Sequence, residues 1–110
     1  MTSIQEYNDG LDDALGTVAE TLQRHIDDTI QGAEGKVWQG HPVWLRGKDP
    51  VVGYKAFPRW VTFMIWNPAV PDPTGTLTEG PRMSTIKYSS VDQIDPNALD
   101  TWLAEVQARL

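Results

Sequence analysis

Apolar residues at Ile4, Tyr7, Leu11, Leu15, Val18, Leu22, Ile26 and Ile30 recur every three or four positions through the first third of the chain, the spacing that gathers side chains on one face of an α-helix. The pattern predicts one long amphipathic helix. Ser3 followed by Glu6 has the form of a capping box at its start, Gly32 and Gly35 supply a stop, and Gly10 is a point at which the first turn can break away. Asp9, Asp13, Glu20 and Asp27 fall nearly opposite the apolar side, flanked by Asp12 and Asp28, so the acids form a stripe that faces solvent.

From Lys36 the period changes to two, and β-branched and aromatic residues alternate between turn signals. This predicts short antiparallel strands over 36–39, 42–47, 50–57 and 60–67, joined by tight connections at Gly47-Lys48-Asp49-Pro50 and Phe57-Pro58-Arg59. In the last of these strands Trp60, Thr62, Met64 and Trp66 point one way and Val61, Phe63 and Ile65 the other, which makes both faces apolar. Helices on one side cover only one such face, so the second is expected to meet a loop, a ligand or another subunit. Residues 67–82 hold Pro68, Pro71, Pro73, Pro81, Gly75 and Gly80 without any period, and read as a long loop of the kind often used for binding. Alternation returns over 84–89 as a fifth strand. A closing helix follows, with Asp95 as N-cap, Pro96 at the first helical position, an Ile94–Leu99 staple, and Leu99, Trp102, Leu103, Val106 and Leu110 on its buried stripe. The fold class is α+β: a two-layer sandwich in which N- and C-terminal helices pack on one face of an antiparallel five-stranded sheet.

With 110 residues the chain suits a single domain over 1–110. It has no cysteine, which excludes disulfides, thiolate metal sites and thiol nucleophiles. The first residues lack the basic and apolar regions of a secretory signal, and no run approaches the roughly 20 apolar residues of a membrane span, so a soluble cytoplasmic protein is expected. Net charge is −6, but it is segregated: −7 over residues 1–35, +4 over 36–90 and −3 over 91–110. An acidic protein repels a phosphate backbone, which argues against a nucleic-acid partner.

Chemistry concentrates in the run Trp38-Gln39-Gly40-His41-Pro42-Val43-Trp44, which sets one of two histidines between two tryptophans. One reading makes His41 a pocket residue walled by Trp38, Trp44, Tyr54 and Trp66; the plainer one has it fix a turn between strands. Trp102 belongs in the core and His25 at the edge of a helix face. The acidic stripe admits a second reading, in which Asp13, Glu20 and Asp27 bind a hard cation such as iron, although Arg24 within the stripe suits an ordinary solvated face. No nucleophile with a base, no carboxylate pair and no phosphate loop has a recognisable spacing, so no catalytic residue is assigned.

The run just quoted, with residues 50–54, 63–66 and Gln93-Ile94-Asp95 followed by Leu99, Trp102 and Leu103, resembles the YdhG-like domain family, whose best-known members are described as frataxin-like iron chaperones. The resemblance covers nearly the whole chain, and the Gly-His-Pro-Val-Trp segment marks one branch of unknown role. It implies a frataxin-like α/β sandwich. The leading expectation is thus a small binding domain holding a small ligand or a protein partner at the Trp38–Trp44 corner and the apolar sheet face, where a homodimer would also fit. The alternative is a frataxin-like iron-binding chaperone that uses the acidic helix. No cofactor is expected beyond iron under that alternative.

Overall fold

Ser3 opens the first helix, α1 (Ile4–Asp9): its hydroxyl accepts from the Glu6 amide at 3.1 Å, and the Glu6 carboxylate accepts from the Ser3 amide at 3.2 Å. In the computed structural model, which describes residues 2–66, 70, 72 and 74–110, the predicted long helix is divided in two. Gly10 ends α1, and Asp12 caps α2 (Asp13–Thr29) by accepting from the Leu15 amide at 2.9 Å. A short carboxylate that satisfies fresh N-terminal amides competes with continuation of the helix, and the apolar period runs across the break unchanged. The break turns Asn8 into the interior, where it is only 2% exposed.

The strands are β1 (Glu34–Trp38), β2 (His41–Arg46), β3 (Asp49–Ala56), β4 (Val61–Ile65), β5 (Thr78–Glu79) and β6 (Ser84–Tyr88), followed by a 3-10 turn (Val91–Gln93) and α3 (Pro96–Ala108). They form one antiparallel sheet in the order β1-β2-β3-β4-β6-β5. The count is six rather than five, because β5 lies inside the stretch read as loop. Two residues are too few to show a period; only pairing with β6 defines them. Residues 67–69, 71 and 73 of that stretch lie outside the described residues. The rest is anchored. Val70 is buried, and the Asp72 carboxylate accepts from the Thr74 hydroxyl and amide, the Leu77 amide and the Trp102 indole at 2.6–3.2 Å. Burial alone would raise the Asp72 pKa, but these donors together hold it below the ordinary carboxylate value.

All three helices pack on one face of the sheet, and the core lies between the layers. Trp44 pairs with Val52 and Leu45 with Pro50, so Val51 is an extra residue on β3, and this bulge turns both Val51 and Val52 toward the core. Gly53 permits the close approach of β2 and β3: an added Cβ would stand 2.6 Å from the Pro42 carbonyl oxygen. Gly35 leaves room in the same way for the Trp44 indole, whose Nε1 would be 2.6 Å from a Cβ there.

Two of the large buried aromatics tie the N-terminal helices to the sheet by their polar tips. The Trp44 indole donates to Asp27 at 2.9 Å, and the Tyr54 hydroxyl donates to Asn8 at 2.7 Å, while the Asn8 amide donates to Gln23 at 2.8 Å. Burial pushes the Tyr54 pKa far above its ordinary value despite the Asn8 contact, so the phenol remains a neutral donor. Across the helical layer, His25 contacts Asp100 at 2.7 Å and joins α2 to α3.

Two stability predictions follow from these contacts. Gly53→Ala drives a methyl into the β2 backbone and should cost about 1–3 kcal/mol, read as a lower urea midpoint. Asn8→Leu strands the Tyr54 hydroxyl and should cost about 1–3 kcal/mol, whereas Asn8→Leu combined with Tyr54→Phe should cost less than the sum of the two single changes in a double-mutant cycle.

Candidate binding face

With Trp44 turned into the core, strand alternation sends His41, Val43 and Leu45 to the opposite face of the sheet. The β1–β2 hairpin is closed by Gln39 and Gly40, both with positive φ (52° and 88°), the geometry of a type I′ turn. It sets Trp38 directly across from His41. Continuing the β2–β3 register two steps past Val43–Gly53 places His41 beside Lys55; Lys55 pairs with Thr62, and Thr62 with Lys87. One row of side chains, Trp38, His41, Lys55, Thr62 and Lys87, therefore crosses five strands on the face away from the helices.

The β3–β4 hairpin lies at the same end of the sheet and adds an aromatic rim. Phe57 and Trp60 stack at 5.5 Å between ring centroids, the Trp60 indole donates to Thr62 at 3.1 Å, and the Lys55 and Lys87 ammonium groups lie 5.4 Å and 4.8 Å from the Phe57 and Trp60 ring centres. Phe57 is 38% exposed, unusual for a phenylalanine. The next row, Lys36, Val43, Gly53, Met64, Thr85 and Thr78, runs parallel to the first. Val43 and Met64, with Leu45, are buried but stand apart from the core between the layers. Neither row contains a carboxylate. All five residues of β4 are buried, Thr62 and Met64 on this face among them; Trp60 and Trp66, which the alternation placed on the same face, lie beyond its ends, and no described helix packs here.

His41 is half-buried, and its Nδ1 has no hydrogen-bond partner among the described residues. Burial lowers its pKa below the ordinary 6.5; the Pro42 backbone opposes this, nearby Lys55 adds to it, and the Tyr54 backbone again opposes it, although neither backbone group gives Nδ1 a hydrogen bond. The same register sets Pro42 opposite Tyr54, where proline brings no N–H to the ladder. The imidazole thus sits as a neutral, under-satisfied group in a cationic row.

The five residues read from sequence as one site are separated by the fold. Trp38 and His41 share the open face, but Trp44 and Tyr54 lie inside the core, their ring centroids 6.0 Å apart. Trp66 follows the end of β4 and lies at the opposite end of that strand from Trp60, so the two form no common platform. Its amide donates to the Val51 carbonyl at 3.0 Å, and its side chain lines a groove of about 210 Å³ with Val51, Val106 and Leu110. Asp13, Glu20 and Asp27 are exposed and seven residues apart, hence about 10 Å between neighbours along α2. Asp27 accepts from Trp44, Asp12 caps α2, and among the described residues no three His, Asp or Glu side chains are grouped to hold a metal ion. Sequence reasoning passed over Phe57, Lys55 and Lys87. The period-two spacing of Lys55 and Phe57 was a signal for the first two; Lys87 joins them only through the β4–β6 pairing.

The depressed pKa of His41 makes a pH prediction. The unfolded chain takes up a proton near pH 6.5 while the folded imidazole resists it, so the native state loses stability as pH falls below that value. His41→Gln should flatten the decline in urea midpoint between pH 7 and 5; parallel profiles would show that His41 contributes nothing to it. His25 is retained in both proteins, so the difference belongs to His41.

Comparison with known protein families, curated proteins and solved structures found no match for this chain.

Proposed function

We propose that the chain is a small binding domain that receives a protein partner bearing carboxylate groups on the open face of its sheet. The observation that carries this reading is the row Trp38, His41, Lys55, Thr62 and Lys87, aligned by register, free of carboxylates and bordered by the Phe57–Trp60 stack. Such a face combines charge with large amphipathic aromatic area, the composition on which interface energy concentrates. A row laid across five strands presents an extended surface, which favours a macromolecular occupant over an enclosed small ligand. Segregation of charge supports the same choice, since residues 36–90, which carry most of the sheet, hold +4 while residues 1–35 hold −7, and an acidic partner is steered toward the cations.

The YdhG-like, frataxin-like assignment belongs to this proposal. Its support is the set of residues quoted for the resemblance, together with α+β layering that has its terminal helices on one side of an antiparallel sheet. The iron-chaperone reading has less behind it, because the acids it needs are spread along α2.

Poly-L-glutamate is a suitable probe, read by tryptophan fluorescence at low and high salt. Binding should be saturable, should weaken as salt screens it, and should fall by roughly tenfold or more in Lys55→Glu with Lys87→Glu. Absence of binding, or binding that this double variant retains, would overturn the proposal.

A further inference from the structure

Among the described residues the sheet has one long unpaired edge. β1 is bonded, among the described strands, to β2 alone, and its first three residues, Glu34, Gly35 and Lys36, are exposed. In a two-residue hairpin the closing pair is hydrogen-bonded, so Trp38–His41, Lys36–Val43 and Glu34–Leu45 exchange main-chain bonds, and the pairs between them do not. The residue opposite Val37 is Pro42, which has no N–H to give, in keeping with that assignment. The N–H and C=O groups of Gly35 and Val37 therefore point away from the sheet. A groove of about 510 Å³ separates this edge from Thr2, Ser3, Ile4, Gln5, Gln23 and Asp27, so the strand is reachable.

We infer that two copies of the chain join antiparallel through β1, with Gly35 facing Gly35 of the second copy across a two-fold axis. Charge complementarity selects the occupant and the register. With Gly35 on the axis, Glu34 of each copy lies directly opposite Lys36 of the other, on the open face and in a pair that exchanges no main-chain bonds, where side chains approach most closely. Symmetry makes the contact twice. The Gly35–Gly35 pair and the flanking Val37–Ala33 pairs use the outward main-chain groups. A shift of the axis to Val37 would place Lys36 against Trp38 and leave Glu34 without a cation. Lone lysines on edge strands usually discourage such pairing; here each lysine meets a glutamate. The product is a continuous sheet of twelve strands with both open faces on one side, and it is independent of what binds there.

Analytical ultracentrifugation tests the inference by mass alone. The native chain should show a concentration-dependent dimer, Lys36→Glu and Glu34→Lys should each weaken it by roughly tenfold or more because like charges then oppose twice, and the double exchange Glu34→Lys with Lys36→Glu should restore it. Circular dichroism and urea midpoints establish that each variant is folded. A native chain that stays monomeric at about 0.5 mM, or a dimer indifferent to both single changes, would overturn the inference.

Discussion

The polar tips of two buried aromatics decide how this molecule is laid out. Trp44 and Tyr54 fill the core with large rings, and each brings one N–H or O–H that must find an acceptor where water cannot serve. Asp27 on α2 and Asn8 on α1 are those acceptors, so the two rings pin both N-terminal segments to the sheet. Gly35 and Gly53 are the complementary constraint, since any side chain there would strike the Trp44 indole or the β2 backbone. Because strand side chains alternate, turning Trp44 inward also turns His41, Val43 and Leu45 outward; a one-residue slip would reverse every assignment.

The outward face is thus a consequence of core packing rather than an independent design. Its cations are spaced by the pairing of β3, β4 and β6, and its aromatic rim by the tight turn in which the Phe57 amide donates to the Trp60 carbonyl at 2.7 Å. Most of the acids lie on the helical layer instead, several of them already occupied: Asp12 as a cap, Asp27 beneath Trp44, Asp100 beside His25. Charge is therefore unevenly divided between the helices and the sheet, although the protein is acidic overall.

Much of the fold was legible in the pattern of residues, and the failures have local causes. The Ser3–Glu6 cap, the helix that follows Asp95 and the four long strands within a residue or two all stand where the periodicity puts them. The division of the first helix was legible as the break point at Gly10, whereas the apolar period alone runs through it, because a change of direction over residues 10–12 leaves that period intact. β5 was hidden because a two-residue strand exists only through its partner. The candidate site was half legible. Trp38 and His41 share the open face, yet Trp44 and Tyr54, close to them in the chain, are core residues, and Trp66 lies beyond the end of β4.

By itself the sequence determined the periods, the caps and the separation of charge along the chain, since each depends on neighbours within a few positions. The tertiary structure alone decided which strand face is covered, that Lys55 and Lys87 stand in one row with His41, and that Asn8 meets Tyr54 across 46 positions. Those outcomes rest on pairing register and on the need of buried polar atoms for partners, which act between segments far apart in the chain and leave no local mark.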